Sequence, residues 1–157
     1  AFLKTALKSN RQRWTVVLQH AGPFASRSDR NNAKIRSALL PVYNKYRVDL
    51  VLSAHDHSYD RGYYGSNMNS TVYAVSVSGK KFYDASAKDW KRGGATRVAG
   101  AARTATYQTV TISRDKLTYQ AVIGYKGKGS STSRKVGQVL DQVTITKNAA
   151  GNSKQVR

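Results

Sequence analysis

The sequence predicts an α/β fold, with a mixed sheet that contains a βαβ crossover and is followed by antiparallel strands. Two apolar, β-branched runs at residues 14–19 and 49–53 flank a segment with helical periodicity. Later segments alternate polar and apolar residues with the period of two that is typical of strands. The chain has 157 residues, of which 39% are hydrophobic, so it is long enough to bury a core. We therefore expect a single domain over residues 1–157.

The first third of the chain predicts a short helix followed by a strand–helix–strand unit. The expected elements are an amphipathic helix within 1–13, a buried strand at 14–19, a loop at 21–32, a helix at 33–46 and a buried strand at 49–53. Pro41 lies inside the second helix, where its missing amide hydrogen predicts a kink or a break. Two strands joined by a helix over so short a stretch predict a right-handed crossover and a parallel pair.

The rest of the chain predicts antiparallel strands separated by polar loops. Arg114 and Asp115 form a short turn between two alternating segments, which indicates a hairpin. The Gly-, Ala- and Lys-rich segment 79–104 predicts a long loop, and the Ser-rich segment 126–135 predicts another. Residues 148–157 predict a polar tail. Strands are expected at 71–78, 105–113, 117–125 and 138–146.

The charge of the chain is strongly basic. It has 27 Lys and Arg against 8 acidic residues, all of them Asp, which gives a net charge of +19. Such a surplus attracts nucleic acid, anionic glycans or phosphorylated substrates. The basic residues are spread along the chain without the aromatic–basic pattern of nucleic-acid readers, so we do not favour nucleic-acid binding. The absence of cysteine excludes thiol chemistry, and no apolar run approaches the roughly 20 residues of a membrane span.

All three histidines follow the two predicted parallel strands. His20 comes after the first strand, and His55 and His57 come after the second. Ligands bind at the carboxyl ends of strands in α/β sheets, and imidazole is the commonest side-chain ligand for transition metals. A lone His-x-His pair is more often structural, but a third histidine after a second buried strand favours metal binding. The sequence therefore predicts part of a metal centre formed by His20, His55 and His57.

Two segments around these histidines resemble calcineurin-like metallophosphoesterases. Residues 14–24, WTVVLQHAGPF, are similar to the family pattern W-x-V-V-x-x-H-x-P-P-F/Y. Residues 49–61, DLVLSAHDHSYDR, are similar to V-D-L-V-L-S-G-H-D-H-x-Y-E-R, and the Tyr-acid-Arg ending is typical of the purple acid phosphatase branch. Residues 71–76, 81–84 and 106–108 loosely resemble the carboxyl-terminal β segment of that branch. The resemblance implies a partial metallophosphoesterase sandwich, formed by the carboxyl-terminal half of the domain.

The resemblance also implies a site and a reaction. His20 and His55 would bind one ion of a two-metal centre and His57 the other, the ions being Fe, Zn or Mn. A metal-bound hydroxide would attack a phosphoric monoester, as in an acid phosphatase. Asp56 would orient an imidazole or a loop amide. Tyr59 and Arg61 would support the site or contact the anionic substrate.

Further expectations concern individual residues near the histidines. We expect Asp60 and Arg61 to form a surface ion pair, since adjacent residues of opposite charge are more often paired at the surface than catalytic. Ala54 replaces the glycine of the family pattern, and this tightens the turn if the position requires a positive φ. With no further histidine in the chain, the candidates for protonating a leaving group are Ser26, Arg27 and Tyr59.

The family's aspartate-bearing amino-terminal half has no counterpart in this sequence. We therefore expect that half, or an oligomeric mate, to supply the carboxylates, and we expect the isolated chain to be inactive and weakly metallated, or to bind no metal. Most families of this type with a basic β half and no cysteine are exported, so the resemblance implies a secreted or cell-wall-associated protein. The alternatives are a non-catalytic basic module that binds polyanions or a partner chain, and a structural fragment with no function of its own.

Overall fold

The computed structural model describes residues 2–151 and 153–157. Ala1, at the start of the expected first helix, and Asn152, in the expected tail, lie outside the described residues. In chain order the elements are α1 (Phe2–Ser9), β1 (Val16–Ala21), α2 (Ala33–Lys45), β2 (Leu50–Ala54), β3 (Tyr59–Tyr64), β4 (Val72–Val75), α3 (Lys88–Arg92), β5 (Ala95–Ala101), β6 (Thr104–Ile112), β7 (Lys116–Lys126), β8 (Val139–Lys147) and β9 (Lys154–Val156).

The strands form two sheets. The first has the order β1-β2-β4-β3-β5, in which β1, β2 and β4 are parallel and β3 runs antiparallel to both of its neighbours. The second has the order β6-β7-β8-β9 and is antiparallel throughout. This mixed sheet with a βαβ unit, followed by an antiparallel sheet, confirms the predicted fold class.

The first sheet is the middle layer of three. One of its faces packs against the second sheet, through a core that includes Leu50, Tyr59, Leu117, Tyr119 and Ile145. Its other face packs against the helices and the loop after β1, through a second core that includes Leu7, Phe24, Tyr43, Tyr73 and Trp90. Both faces of β2 and β4 are covered over most of their length, and apart from Ser53 these strands consist of apolar and aromatic residues.

Strand β1 differs from the buried strand that we expected at residues 14–19. It lies at the edge of the first sheet and pairs only with β2. Its residues are half-buried or exposed, and the Leu18 side chain is 77% exposed. The apolar run therefore predicted the strand correctly and its burial wrongly, because a sequence does not reveal which strand is outermost.

Several other elements also depart from the expectations. The segment 79–104 is not one long loop, because it contains α3 and β5. Strand β3 was not expected at all, and β4 pairs parallel to β2 where an antiparallel strand was expected. The expected tail at 148–157 carries β9, which pairs with β8. Helix α2 continues through Pro41 without a break. No helix within residues 2–151 and 153–157 is long and apolar enough to cross a membrane.

Candidate metal centre

The parallel strands β1 and β2 bring His20 and His55 together. The register pairs Val16 with Leu50 at one end, so the carboxyl ends of both strands lie side by side. Nε2 of His20 is 2.9 Å from Nδ1 of His55, and the ring centroids are 4.8 Å apart in an edge-on arrangement. The register of β1 shifts at His20, and such a bulge re-aims a side chain at a sheet edge.

The separation of the two nitrogens fits a single metal ion. Two nitrogen ligands with bonds of 2.0–2.1 Å are about 2.9 Å apart at a right angle and about 3.3 Å apart at a tetrahedral angle. The same separation is that of a hydrogen bond in which one ring donates N–H to the lone pair of the other. His20 and His55 can therefore form part of a donor set for an ion, and they stabilise each other without one.

The backbone of His55 is in the left-handed region, with φ of +68°. This conformation costs a non-glycine residue about 1 kcal/mol or more and is common at functional sites. The amide of Asp56 donates to the carbonyl of Ala54 at 2.8 Å and closes the turn. Ala54 does not have a positive φ, so the condition under which it would tighten the turn is not met, and the left-handed residue is His55 itself.

The pKa of the His55 imidazole is below its ordinary value. Partial loss of hydration is the main cause, and the electrostatic influence of Arg30 and of His20 adds to it. The neutral imidazole is the form that binds metal ions, so this environment keeps His55 in that form.

His57 is held separately from the other two imidazoles. Its Nδ1 is 3.0 Å from the carbonyl oxygen of Lys81, and its ring contacts Tyr83 edge-on at 4.8 Å. A carbonyl oxygen only accepts hydrogen bonds, so Nδ1 carries a proton, and in the neutral ring this leaves the lone pair on Nε2. This is the arrangement that orients metal-binding histidines.

Asp56 lies between the two histidines of the turn but faces the interior. Its side chain is buried, and its Oδ2 accepts hydrogen bonds from the backbone amides of Ser26 at 2.5 Å and Arg27 at 3.2 Å. Its Oδ1 pairs with the guanidinium of Arg30. The carboxylate thus fastens the loop after β1 to the turn that carries His55 and His57.

A second buried carboxylate, that of Asp89 on α3, holds the same loop. Its Oδ2 accepts from the amide of Ala25 at 2.9 Å and from Arg36 at 2.7 Å. Gly22 also requires its small size, since a Cβ there would lie 2.4 Å from Oγ of Ser53. The loop beside the histidines is therefore fixed on several sides.

Tyr59 and Arg61 form a buried network with Asp141 of β8. The Tyr59 hydroxyl donates to Oδ2 of Asp141 at 2.6 Å, and burial raises the pKa of Tyr59 well above its ordinary value. Arg61 donates to both carboxylate oxygens of Asp141. Arg61 and its neighbour Asp60 do not form the expected surface pair, because both are buried and Asp60 pairs with Arg97.

The other two candidates for protonating a leaving group, Ser26 and Arg27, are also either buried or paired with another residue. Ser26 is completely buried. The guanidinium of Arg27 pairs with Asp29 and lies 4.8 Å from the centre of the Tyr83 ring.

The sequence analysis did not identify the residues that hold the histidines and their loop in place but lie far from them in sequence. Lys81, Tyr83 and Asp89 all lie in the segment that we expected to be a loop, and no local pattern connects them to the histidines. Among residues 2–151 and 153–157, no group of three or more His or Asp side chains is arranged to hold a metal ion. The His20–His55 pair would therefore need further ligands from water or from outside these residues.

The two sheets and the βαβ unit define a mixed α/β fold similar to that of a phosphoesterase. A solved structure with a similar fold is that of purple acid phosphatase PPD1 isolated from yellow lupin (Lupinus luteus) seeds, with a TM-score of 0.63 and 18% sequence identity. The match covers 96% of this chain and 28% of that chain. At 18% sequence identity, this similarity shows a shared fold and no more.

Similarity in sequence extends over a shorter segment. Two uncharacterized proteins from two strains of Mycobacterium tuberculosis are each 35% identical to this chain over 65 residues. That segment is 40% of this chain and 12% of each relative, so the chain matches only a small part of their length. No protein-family model matches the chain.

Proposed function

We propose that this chain supplies the histidine half of a metal-dependent phosphoric monoester hydrolase. The observation that carries the proposal is the 2.9 Å approach of His20 Nε2 to His55 Nδ1 at the carboxyl ends of two parallel strands. The fold around them is similar to that of a purple acid phosphatase. The left-handed backbone of His55 adds support, because strain of this kind clusters at functional sites.

In this proposal the three histidines have separate tasks. His20 and His55 hold one ion through Nε2 and Nδ1, and His57 holds a second through Nε2 while its Nδ1 donates to Lys81. When bound, a pair of Fe, Zn or Mn ions would polarise the phosphoryl group and make a water molecule acidic enough to react near neutral pH. Asp56 keeps the loop after β1 against the histidine turn.

Two neighbouring residues have a supporting role in the same proposal. Tyr59 and Arg61 lie on β3, directly after the histidine turn, and their pairing with Asp141 fixes that strand against the second sheet. They would act by keeping the turn in place.

Carboxylate ligands would come from an amino-terminal half of the domain or from an oligomeric mate. As part of the same proposal, the protein is secreted or associated with the cell wall.

Metal content of single-site variants tests the proposal. The protein is prepared with all chains that accompany it, and bound metal is measured by mass spectrometry for the parent and for His20→Ala, His55→Ala and His57→Ala. His20→Ala and His55→Ala should lose the same ion, and His57→Ala should lose the other. Hydrolysis of p-nitrophenyl phosphate should fall at least about a hundredfold in each variant.

The matched control is Lys128→Gln, an exposed change in a loop of the second sheet. It should keep both the metal content and the hydrolysis of the parent. Retention of metal and activity by His55→Ala would refute the proposal. The isolated chain should show no hydrolysis above background, and activity restored by adding the carboxylate-bearing half would support the division of the site.

The alternative function is a basic module that binds polyanions. The net charge of +19 favours it, as does the fact that most of the few aspartates already pair with Arg or Lys inside the fold. Binding of heparin that falls steeply with salt and is unchanged by a chelator, together with normal binding by His55→Ala, would favour this function over hydrolysis.

A further inference from the structure

A polar cavity lies at the end of the first sheet opposite the histidines. Its volume is about 500 Å³, within the range of small-molecule sites, and we call it the Lys154 pocket. Asp49 lines it directly before β2, whereas His55 follows β2. A five-residue strand separates the two places by on the order of 20 Å, so the pocket is distinct from the candidate metal centre.

The pocket carries more positive than negative charge. Arg47, Lys147 and Lys154 line it together with a single carboxylate, that of Asp49. Asn44 and Asn67 add amide groups at its wall. A cavity with three cations and one anion attracts a small anion, and the amides provide further donors for its oxygens.

The two lysines are not equivalent. Nζ of Lys147 donates to Oδ2 of Asp49 at 2.7 Å and to the carbonyl of Arg13 at 2.5 Å, so its charge is balanced within the fold. Nζ of Lys154 lies 3.9 Å from Oδ1 of Asp49, beyond hydrogen-bonding distance, and it donates no hydrogen bond within the described residues. Its side chain is only 15% exposed. Lys154 therefore presents a largely buried ammonium with unused donors.

Asp49 is the second incompletely bonded group. Its side chain is 1% exposed, and its Oδ1 is buried without a hydrogen-bond partner among the described residues. An unused carboxylate acceptor beside unused cationic donors suits a ligand that is an anion and also carries a hydroxyl hydrogen. Inorganic phosphate near neutral pH has both properties, whereas sulfate has no hydrogen to donate.

We propose that the Lys154 pocket binds inorganic phosphate, whose anionic oxygens contact Lys154 and Arg47 and whose hydroxyl donates to Oδ1 of Asp49. Burial lowers the pKa of the Lys154 ammonium to about 8, and an anion would offset the cost of that burial. The site is independent of the proposed hydrolase activity. A phosphate monoester does not fit the site as well, because its second pKa is about 6 and its phosphoryl group carries almost no hydroxyl hydrogen at neutral pH.

Calorimetric titration of the chain with phosphate and with sulfate, at matched ionic strength and with a chelator present, tests this site. We expect saturable one-to-one binding of phosphate, at least about tenfold tighter than that of sulfate, because sulfate leaves Asp49 unbonded. Lys154→Gln should weaken phosphate binding about tenfold or more, since it removes a charge-assisted contact. Glucose 6-phosphate, whose phosphoryl group is ionised at neutral pH, should bind about tenfold or more weakly than phosphate, as sulfate does, and binding as tight as that of phosphate would overturn the proposed contact with Asp49.

Two further variants separate a specific site from general attraction to a basic protein. Lys128→Gln removes an exposed lysine of equal charge far from the pocket and should leave phosphate binding unchanged. Arg47→Gln should weaken binding, and because Arg47 is exposed at the pocket rim, this loss does not depend on repacking of a buried site. Equal affinity for phosphate and sulfate, or equal loss in Lys128→Gln and Lys154→Gln, would overturn the proposal in favour of nonspecific attraction. His55→Ala should bind phosphate normally, and loss of binding there would also overturn it.

Discussion

Arg61 on β3 and Asp141 on β8 form a bidentate ion pair that joins the two sheets. Nη2 of Arg61 is 2.9 Å from Oδ1 of Asp141, and Nε donates to Oδ2 of the same carboxylate. Both side chains are about nine-tenths buried. The Tyr59 hydroxyl donates to the same carboxylate, so one buried acid satisfies two groups that directly follow the histidine turn.

Replacing Asp141 should destabilise the protein strongly. Asp141→Ala leaves the Arg61 guanidinium and the Tyr59 hydroxyl buried without their partner, and breaking a buried pair in this way costs about 3–5 kcal/mol. Denaturant unfolding of the two proteins measures the difference. Asp115→Ala is the matched control, because Asp115 is 57% exposed in its pair with Arg13 and its loss should cost about 1 kcal/mol or less. Similar losses in both variants would contradict the structural role of Asp141.

Gly62 should not tolerate a side chain. A Cβ at this position would lie 2.0 Å from the carbonyl oxygen of Thr96 and 2.7 Å from the ring of Trp90. Gly62→Ala must therefore push β3 away from β5, at a cost of about 3 kcal/mol or more in the free energy of unfolding. Gly79→Ala is the control, because nothing lies within 4 Å of a Cβ there, and it should change stability by no more than about 0.5 kcal/mol. The comparison needs only thermal and denaturant melts.

The helices and strands that were predicted correctly are those whose local residue pattern matches their surroundings in the folded protein. The β6–β7 hairpin follows from alternation on either side of a two-residue turn, and the β1–α2–β2 unit follows from two apolar runs around a helical one. Strand β3 was missed because its sequence, YDRGYY, includes charged residues whose burial depends on distant partners, namely Arg97 and Asp141. Strand β5 was missed because ATRVAGA is rich in Ala and Gly, which are depleted in strands.

The same contrast applies to the candidate site. Adjacency of His20 and His55 could be expected because the carboxyl ends of neighbouring parallel strands meet at one edge. The contact of His57 with Lys81 and Tyr83 could not, since it depends on how a segment without a local pattern folds back over the turn. The Lys154 pocket was missed for the same reason.

Asp56 should control the order of the loop after β1. Asp56→Asn removes the charge that accepts from the amides of Ser26 and Arg27 and that pairs with Arg30. Amide hydrogen exchange at positions 26 and 27 should become at least about tenfold faster, because hydrogen bonds to a charged acceptor contribute about 1.5–3 kcal/mol. Exchange in β7 should stay unchanged. The control Asp29→Asn alters an exposed carboxylate in the same loop, and equal acceleration there would show that Asp56 has no special part.

Asp60 should make the protein less stable as the pH rises from about 4 to about 6. Burial raises its pKa from 3.8 to about 6, while Arg97 partly offsets the shift. Between these values the unfolded chain has lost the proton that the folded chain still holds, so the free energy of unfolding falls as pH increases. The full effect of a shift of this size is about 3 kcal/mol, reached above pH 6 and absent below pH 4. Urea unfolding of the parent and of Asp60→Asn across this range isolates the contribution, because other titrating groups are common to both proteins. The stability of the parent relative to the variant should decline over the window, and a constant difference would show that Asp60 ionises in the folded state at its ordinary pKa.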